Sequence, residues 1–224
     1  MSDRLLLVAT RNAGKAKEIS TLLSDVPYKI VFPDDIGLHE TREEERIEEG
    51  DTFEANARLK AEYFARLSRL PTAADDSGIE VFALGGRPGV KSRRFAMFDG
   101  LPDQQDQANN DELLRRLAGL PPNKRGARYR CAVAYLPRPD AAAVTFEGIC
   151  AGRILNTAEG TNGFGYDPLF WSEDLQAGFG LVDPAQKHTV SHRGRAFRAF
   201  ADWLKKKIEG TGGQMGQGGP CGPA

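Results

Sequence analysis

The amino-acid sequence predicts a mixed α/β protein in which helices flank a β-sheet. Short apolar runs typical of buried strands alternate along the chain with longer segments whose apolar residues recur at helical spacing. The chain has 224 residues, of which 40% are hydrophobic and 27% are charged. This is enough for one sizeable domain, or for two small lobes that share a cleft.

The first predicted unit is a strand followed by a helix. Residues 4–10, RLLLVAT, form a continuous apolar run with a sharp polar stop, which is typical of a strand buried on both faces. The next segment, NAGKAKEISTLLSD, has Ile19, Leu22 and Leu23 at helical spacing and therefore predicts a helix. Residues 28–32, YKIVF, predict the return to the sheet.

The clearest helix is predicted for residues 51–69, with Thr52 as its N-cap. Its apolar stripe consists of Phe53, Ala57, Ala61 and Phe64. Asn56 and Lys60 are four residues apart, so they share a face beside this stripe. The remaining elements are strands at residues 79–84, 129–136 and 143–150, the last two as a hairpin, and helices at residues 103–119 and 194–207.

Composition argues against several classes of partner. The formal net charge of −1 supplies no general attraction for nucleic acid or for an anionic membrane surface. The apolar run after Arg4 is too short for a signal-peptide core or a membrane span. The three cysteines form no C-x-x-C pair, which fits a reducing cytoplasm. We therefore expect a cytoplasmic protein without a nucleic-acid or membrane partner.

The last fifteen residues differ in composition from the rest of the chain. Residues 210–224, GTGGQMGQGGPCGPA, contain seven glycines and two prolines. Such a segment buries too little apolar surface to offset the entropy lost on ordering. The sequence therefore predicts a folded domain over residues 1–209 and a Gly-rich disordered tail over residues 210–224.

Asp75 and Asp76 stand side by side in TAADDSGIEVFALGG, just before an apolar run. Two carboxylates beside buried strands are costly unless another group pairs with them. Asp-Ser-Gly is also ordinary turn chemistry, because Asp and Ser bond neighbouring amides and Gly accepts positive φ. A surface turn and a metal site are the two interpretations of this pair.

The segment TRNAGK, residues 10–15, lies where the first strand gives way to a helix. Backbone amides and a helix N-terminus at such a position can receive a phosphate. The segment is not a Walker A loop, because that motif requires an earlier glycine and a Ser or Thr after the lysine. Lys15 is thus either a phosphate ligand or an ordinary surface residue at the start of a helix.

The segment GTNGFGYDPLFW, residues 160–171, combines three glycines with aromatic side chains. Glycine lets the backbone approach a ligand closely, while Phe164 and Tyr166 offer flat faces and Asp167 offers an acceptor. A tightly packed strand corner is the alternative interpretation.

The segment KHTVSHRGRAF, residues 187–197, contains two of the three histidines. Zinc binding through His188 and His192 is disfavoured, because no cysteine or carboxylate spacing supports it. Donors for a base or a phosphate are the better interpretation.

Five separated motifs occur in the order and approximate spacing of a known family. They are Thr10-x-Asn12-x-x-Lys15, Thr52-Phe53-x-x-Asn56-Ala57-x-x-Lys60-Ala61, Asp75-Asp76-Ser77-Gly78, Phe164-Gly165-Tyr166-Asp167-Pro168 and Ser191-His192-Arg193-Gly194. On these residues the chain resembles the non-canonical purine nucleoside triphosphate pyrophosphatases, the inosine and xanthosine triphosphate house-cleaning enzymes. The resemblance covers residues 4–207.

The resemblance implies an elongated mixed β-sheet with flanking helices, arranged as two lobes around a central nucleotide-binding cleft. It also implies a homodimer. The implied activity is hydrolysis of inosine, deoxyinosine and xanthosine triphosphates to the monophosphate and pyrophosphate, with Mg²⁺ as cofactor. Mg²⁺ typically takes one or two protein carboxylates and fills its octahedron with phosphate oxygens and water.

The resemblance also assigns the catalytic carboxylates. Asp76 is expected to bind the metal and the attacking water, and Asp75 to support it from the opposite face of the strand. The family's second acidic ligand precedes the Thr-Phe of the long helix. Here the corresponding stretch, RIEEGDTF, is one residue shorter, so Glu48 is assigned and Glu49 is the alternative.

The implied substrate-binding residues form two groups. Lys15, Lys60 and Asn12 resemble a triphosphate clamp that the loop amides and Ser77 complete, and Phe164 resembles the residue that stacks on the base. His192 and Arg193 are expected to donate to a 6-oxo group. The full set of predicted substrate contacts is Thr10, Arg11, Asn12, Ala13, Gly14, Lys15, Asn56, Lys60, Ser77, Phe164, Gly165, Tyr166, Asp167, Lys187, His192 and Arg193.

Two other functions compete with this one. A Maf-type nucleotide pyrophosphatase prefers modified pyrimidines, but the Ser-His-Arg and Phe-Gly-Tyr-Asp motifs favour purines. A non-catalytic nucleotide-binding module is the other alternative, and the presence of Asp76, Lys15 and Lys60 argues against it.

Overall fold

The computed structural model describes residues 4–44, 47, 49–101 and 104–212. In this part of the chain, seven strands form one sheet with α-helices on its faces. The strands are β1 (Leu5–Val8), β2 (Lys29–Val31), β3 (Thr72–Val81), β4 (Gly126–Leu136), β5 (Val144–Ile154), β6 (Phe170–Ser172) and β7 (Ala177–Gly178). The helices are α1 (Ala13–Leu22), α2 (Phe53–Ser68), α3 (Gln105–Arg116), α4 (Pro184–Val190) and α5 (His192–Gly212).

The sheet is mixed, with the strand order β2-β1-β3-β4-β5-β6-β7. Strand β1 runs parallel to β2 and β3, whereas β3 through β7 pair antiparallel. Strand β4 and strand β5 form the predicted hairpin, and each is longer than predicted. The predicted α/β class with flanking helices is confirmed.

Strand β1 is buried on both faces, as its continuous apolar run predicts. Leu6 and Val8 join one hydrophobic cluster with residues of α1 and α5. Leu7 and Ala9 join a second cluster with residues of α2 on the other face. Thr52 caps α2 as expected, because its side chain accepts a hydrogen bond from the backbone N–H of Ala55 at 3.1 Å.

The strand predicted over residues 79–84 is confirmed only for residues 79–81, and the turn interpretation of Asp75 and Asp76 is wrong. Strand β3 begins at Thr72, and residues 82–84 form a short 3₁₀ turn. Strand β3 lies in the middle of the sheet, parallel to β1 on one side and antiparallel to β4 on the other. The backbone of both aspartates is paired with β4 within the sheet, so non-local pairing overrides their local preference for turns.

The structure also contains elements that were not predicted. Strands β6 and β7 and helix α4 have three, two and seven residues, too short for a periodic pattern. Helix α5 begins at His192 rather than at residue 194 and ends at Gly212, three residues into the predicted tail. Residues 213–224 lie outside the described residues, so the division at residue 209 stays a prediction.

A third hydrophobic cluster lies at the other end of the sheet. It joins residues of α3, such as Leu113, to the C-terminal parts of β3 and β5 and to the N-terminal part of β4. Asp75 and Asp76 are in β3, between this cluster and the first two. None of the helices in the described part of the chain has the length and hydrophobicity needed to cross a bilayer.

Candidate active site

A cleft of about 600 Å³ opens beside Asp76. The predicted residues that line it are Thr10, Arg11, Asn12, Lys15, Lys60, Asp76, Ser77, Phe164, Gly165, Tyr166, Asp167, Lys187, His192 and Arg193. The structure thus brings all five sequence motifs to one cavity or to its immediate support. Ala13, Gly14, Asn56 and Asp75 were also predicted, and they are not part of the lining.

The carboxylate of Asp76 is held in place by neighbours on two elements. Its Oδ1 accepts the backbone N–H of Ser77 at 2.9 Å, and its Oδ2 accepts the side-chain amide of Asn56 at 2.9 Å. Asn56 is buried in α2, and its Oδ1 accepts the backbone N–H of Gly50 at 2.7 Å. Asn56 therefore fixes the orientation of Asp76 and joins β3 to the segment before α2.

Asp75 points to the opposite face of β3 and is almost completely buried. Its Oδ2 lies 3.0 Å from Nζ of Lys15 and 3.5 Å from Nε of Arg193. Burial acts to raise the pKa of Asp75, but the positive charges of Lys15, Arg193 and Lys60 hold it below its usual value. Asp75 is therefore an ionised anchor that positions cations, and its support of Asp76 stays a prediction.

Lys15 and Lys60 converge on Asp75 from two helices. While Lys15 of α1 reaches the carboxylate, Nζ of Lys60 in α2 donates to the backbone oxygen of Asp75 at 3.0 Å. Both lysines line the cleft beside Asp76. This arrangement places two ammonium groups where an anionic ligand would meet them.

Arg11 and Asn12 both line the cleft and make contacts with other protein groups. The Arg11 guanidinium contacts Glu44 at 2.8 Å and Asp34 at 2.5 Å, which ties residues 34–44 to the loop before α1. Asn12 is the N-cap of α1, and its Oδ1 accepts the backbone N–H of Lys15 at 2.9 Å. Their predicted substrate contacts stay predictions.

Phe164 lies against the first turn of α1, which contains Gly14 and Lys15. A Cβ atom placed on Gly14 would come within 2.9 Å of the Phe164 ring, so only glycine permits this approach. Nζ of Lys187 is 5.1 Å from the centre of the ring, and Cζ of Arg193 is 5.6 Å from it. The flat face that was predicted to stack on a base is thus in contact with the predicted phosphate loop.

The side chains of Tyr166 and Asp167 hold the loop that contains Phe164. The Tyr166 hydroxyl donates to the backbone oxygen of Ser92 at 2.8 Å. Asp167 accepts the backbone N–H of Phe164 at 2.9 Å and the ammonium of Lys187 at 2.6 Å. These bonds occupy polar groups of two predicted substrate contacts, so the predicted contacts of Tyr166 and Asp167 with substrate stay predictions.

Comparison with known proteins places the chain in a family. Residues 6–203 match the model of the Ham1 family. The chain belongs to the Ham1 family. The predicted family is confirmed by its relatives. A protein of Syntrophobacter fumaroxidans named dITP/XTP pyrophosphatase is 44% identical over 209 residues, which cover 92% of this chain and 85% of that one. A dITP/XTP pyrophosphatase of Bacillus cereus is 42% identical over 203 residues, with 90% and 95% covered.

Solved structures of the Ham1 family share the fold. A HAM1 protein from Coxiella burnetii superposes with a TM-score of 0.79 at 31% identity, and the match covers 91% of this chain and 99% of that chain. The mixed sheet with its flanking helices is therefore the Ham1 fold.

A buried carboxylate in this Ham1 protein was not predicted from the sequence. Glu18 of α1 contacts Nζ of Lys187 at 2.8 Å and the guanidinium of Arg193 at 2.5 Å. Burial acts to raise the pKa of Glu18, but Arg193 and Lys187 lower it below its ordinary value. The only local signal was its position one turn after Lys15, on the same side of α1.

The structure describes only some of the metal ligands that were predicted for this Ham1 protein. Glu48 lies outside the described residues, and its alternative Glu49 is exposed and does not line the cleft. Among the residues that the structure does describe, no group of three or more His, Cys, Asp or Glu side chains is placed to hold a metal ion. Asp76 is the predicted ligand that the structure places at the cleft.

His192 is buried and stacked on Tyr129, with ring centres 4.5 Å apart and an angle of 5° between the planes. Its Nδ1 has no hydrogen-bond partner among the described residues. Burial, followed by the charges of Arg193 and Lys187, lowers the pKa of His192 well below its ordinary value. His192 is therefore a neutral imidazole at pH 7, with one donor and one acceptor nitrogen.

The buried neutral state of His192 makes stability depend on pH. Its pKa is lower in the folded state than in the unfolded chain, so its contribution is complete above the unfolded value of about 6.5 and is lost as the pH falls below it. We expect His192 to make folding about 1 kcal/mol less favourable at pH 5.5 than at pH 7. Urea unfolding of the wild type and of His192→Gln at both pH values measures this difference, and an equal pH dependence in both proteins would contradict it.

Proposed function

We propose that this protein hydrolyses the non-canonical purine nucleoside triphosphates dITP, ITP and XTP to the monophosphate and pyrophosphate, and thereby cleanses the nucleotide pool. The observation that carries the proposal is the position of Asp76, which lies at the cleft beside two lysines and within the same cavity as Phe164. The names of the relatives supply the substrate class. The same names supply the reaction class, and a carboxylate beside a cation-lined cleft fits it.

The proposed step is attack of water on the α-phosphorus. The water oxygen forms a bond to phosphorus while the bond to the bridging oxygen of the β-phosphate breaks, and pyrophosphate leaves with the electron pair. Asp76 takes the proton from the attacking water. Asn56 and the amide of Ser77 hold the carboxylate in a fixed orientation, so little reorganisation is needed during the step.

Mg²⁺ is the proposed cofactor. Asp76 fits this ion, because a carboxylate is a hard oxygen donor and Mg²⁺ usually takes only one or two of them. Glu48 is the second proposed ligand. When bound, the ion supplies positive charge that neutralises the phosphate oxygens. Lys15 and Lys60 add charge from the α1 and α2 sides of the cleft.

The base is proposed to bind beside Phe164. Phe164 provides a stacking face, and Arg193 and His192 provide donors for an acceptor at position 6 of the purine. Adenine presents an amino group there and leaves buried donors unpaired. Each such donor costs roughly 1 to 3 kcal/mol, so two account for about two to four orders of magnitude in kcat/KM.

The decisive experiment is a pyrophosphate-release assay with Mg²⁺ across the inosine, deoxyinosine, xanthosine, guanosine, adenosine and cytidine triphosphates. We expect inosine and xanthosine nucleotides to be hydrolysed far faster than adenosine and cytidine nucleotides. Pyrophosphate release that prefers modified pyrimidines would instead support a Maf-type enzyme. Tight binding of inosine triphosphate without any release of pyrophosphate would support a non-catalytic module.

The assembly and the cellular location are proposed with the same activity. We expect a homodimer in the cytoplasm, with the nucleotide as its only other partner. Light scattering coupled to size-exclusion chromatography tests the assembly, because the 24.5 kDa chain would elute with twice its mass. A monomer at micromolar concentration would contradict it.

Substitution of Lys15 or Lys60 should weaken binding of the triphosphate more than binding of the monophosphate. Lys15→Ala and Lys60→Ala each remove a cation expected on the β- or γ-phosphate, where a desolvated charged contact is worth on the order of 1.5 to 3 kcal/mol. We expect roughly 10- to 150-fold weaker binding of a non-hydrolysable inosine triphosphate analogue, measured by calorimetry, with a smaller loss for inosine monophosphate. Equal losses for both ligands would place the lysines elsewhere.

A further inference from the structure

One face of helix α3 contacts two segments that border the cleft. Asp106, Asn109 and Asn110 are at positions i, i+3 and i+4, so their side chains lie on the same side of the helix. Asn109 and Asn110 are buried, and Asp106 lines the cleft. None of the three was predicted from the sequence to belong to the site.

Two of these side chains hold a single residue of the loop that carries Phe164. Oδ2 of Asp106 accepts the backbone N–H of Gly165 at 2.9 Å, and Nδ2 of Asn110 donates to the backbone oxygen of Gly165 at 3.0 Å. Both backbone polar groups of Gly165 are therefore bonded to α3. Because Gly165 directly follows Phe164, these bonds restrict where the Phe164 ring can lie.

The third side chain holds the turn formed by residues 89–94. Asn109 accepts the backbone N–H of Ala96 at 2.9 Å and donates to the backbone oxygen of Arg93 at 3.0 Å. The same turn is also bonded to β3, because Oγ of Ser92 accepts the backbone N–H of Ile79 at 2.9 Å. A Cβ atom on Gly78 would come within 2.3 Å of that hydroxyl, so the turn lies against the strand that carries Asp76.

Helix α3 packs against the sheet through its apolar side chains. Leu113 and Leu117 are completely buried in the third hydrophobic cluster. Burial of these two leucines stabilises the packing of the helix, so its polar side has a fixed position. A chain of contacts thus runs from Asp76 in β3 through the turn and α3 to Phe164.

We propose that Asp106 and Asn110 are positioning residues that hold Phe164 at the spacing required by a purine base. The affinity for the base then depends on α3, whereas the affinity for the phosphates does not. This inference rests on the proposed function, because it assigns Phe164 to the base and Lys15 and Lys60 to the phosphates.

The test compares Asp106→Ala, Asn110→Ala and the double variant with the wild type. Binding of inosine monophosphate and of magnesium pyrophosphate is measured separately by calorimetry, and the KM and kcat for dITP are measured alongside. Asp111→Ala is the matched control, because it removes a carboxylate from the exposed side of the same helix, where Asp111 contacts Gln107.

Each single variant should bind inosine monophosphate about two- to tenfold more weakly, which is the usual effect of one hydrogen bond. KM for dITP should rise, while kcat and pyrophosphate binding stay near the wild-type values. The double variant should lose less than the product of the two single losses, because both side chains hold the same peptide. The control should match the wild type in every measurement.

Three outcomes would overturn the inference. Equal losses of monophosphate and pyrophosphate binding would show a general structural role, as would a lower kcat with an unchanged KM. Fully additive losses would indicate that Asp106 and Asn110 act independently, for example by direct contact with the base. If the wild type is active and the variants bind inosine monophosphate as tightly as the wild type does, the role of α3 is refuted but the proposed function is not. If the wild type releases no pyrophosphate from dITP, the proposed function itself is refuted. Asp106 is exposed, so Asp106→Ala remains informative if Asn110→Ala fails to fold.

Discussion

Asp76→Asn should lower kcat for dITP roughly 10²- to 10⁴-fold while the protein remains folded. The carboxamide has nearly the same size as the carboxylate, but it cannot accept a proton at neutral pH and is a poor ligand for Mg²⁺. Asn56 and the amide of Ser77 both donate to this carboxylate, so its position depends on a prearranged network. The measurement is pyrophosphate release at saturating Mg²⁺ and saturating substrate.

Asp111→Asn is the control for this substitution, because it makes the same chemical change at an exposed position. It should leave kcat and the melting temperature unchanged. A melting temperature of Asp76→Asn close to that of the wild type would show that the lost activity does not reflect unfolding. Near-wild-type turnover by Asp76→Asn would remove Asp76 from the mechanism.

Glu18→Gln should reduce the free energy of unfolding by about 3 kcal/mol. Glu18 is buried between Lys187 and Arg193, and removing one partner from a buried ion pair leaves charges that water cannot solvate. For a chain of this length, the melting temperature should fall by roughly 6 to 12 °C. Calorimetric or optical melting of both proteins at pH 7 provides the measurement.

The pH dependence of the stability difference between the two proteins shows whether it is caused by the charge of Glu18 or by its packing. The pKa of Glu18 is lower in the folded protein than its ordinary value of 4.5, so its contribution is complete above that value and is lost as the pH falls below it. The difference in free energy of unfolding between the wild type and Glu18→Gln should therefore become smaller at acidic pH. Asp25→Ala serves as the control, because its pair with Lys205 is at the surface and its loss should have little effect. A gap that is equally wide at pH 3.5 and pH 7 would assign the effect to packing.

The elements that the sequence predicts well are those with a strong local pattern. The apolar residues of α2 recur at helical spacing, and the continuous apolar run before Thr10 is typical of a strand buried on both faces. Strand β3 has no such pattern in its first half, because Ala73 and Ala74 are small and Asp75 and Asp76 favour turns. Its pairing with β1 and β4 decides the outcome, and those partners lie far away in the sequence.

In the candidate site too, residues in local motifs could be predicted from the sequence, whereas contacts between distant residues could not. The motifs identified Asp76, Lys15 and Phe164, and the structure brings them to one cleft. The sequence did not predict Glu18, because its partner Lys187 is 169 residues away. Nor did it predict that Arg11 contacts Glu44, since a charged side chain gives no local sign of the partner it will meet in the folded protein.

The contacts of Lys15 and Lys60 with Asp75 should affect how strongly ordinary nucleotides compete for the proposed site. Any triphosphate must share these two cations with oxygen atoms of Asp75, so its phosphates alone gain less binding energy than bare ammonium groups would give. Adenosine triphosphate, which lacks the matching base contacts, should consequently be a weak inhibitor even at millimolar concentration. An enzyme with this property stays available for rare damaged nucleotides instead of being occupied by the abundant ones.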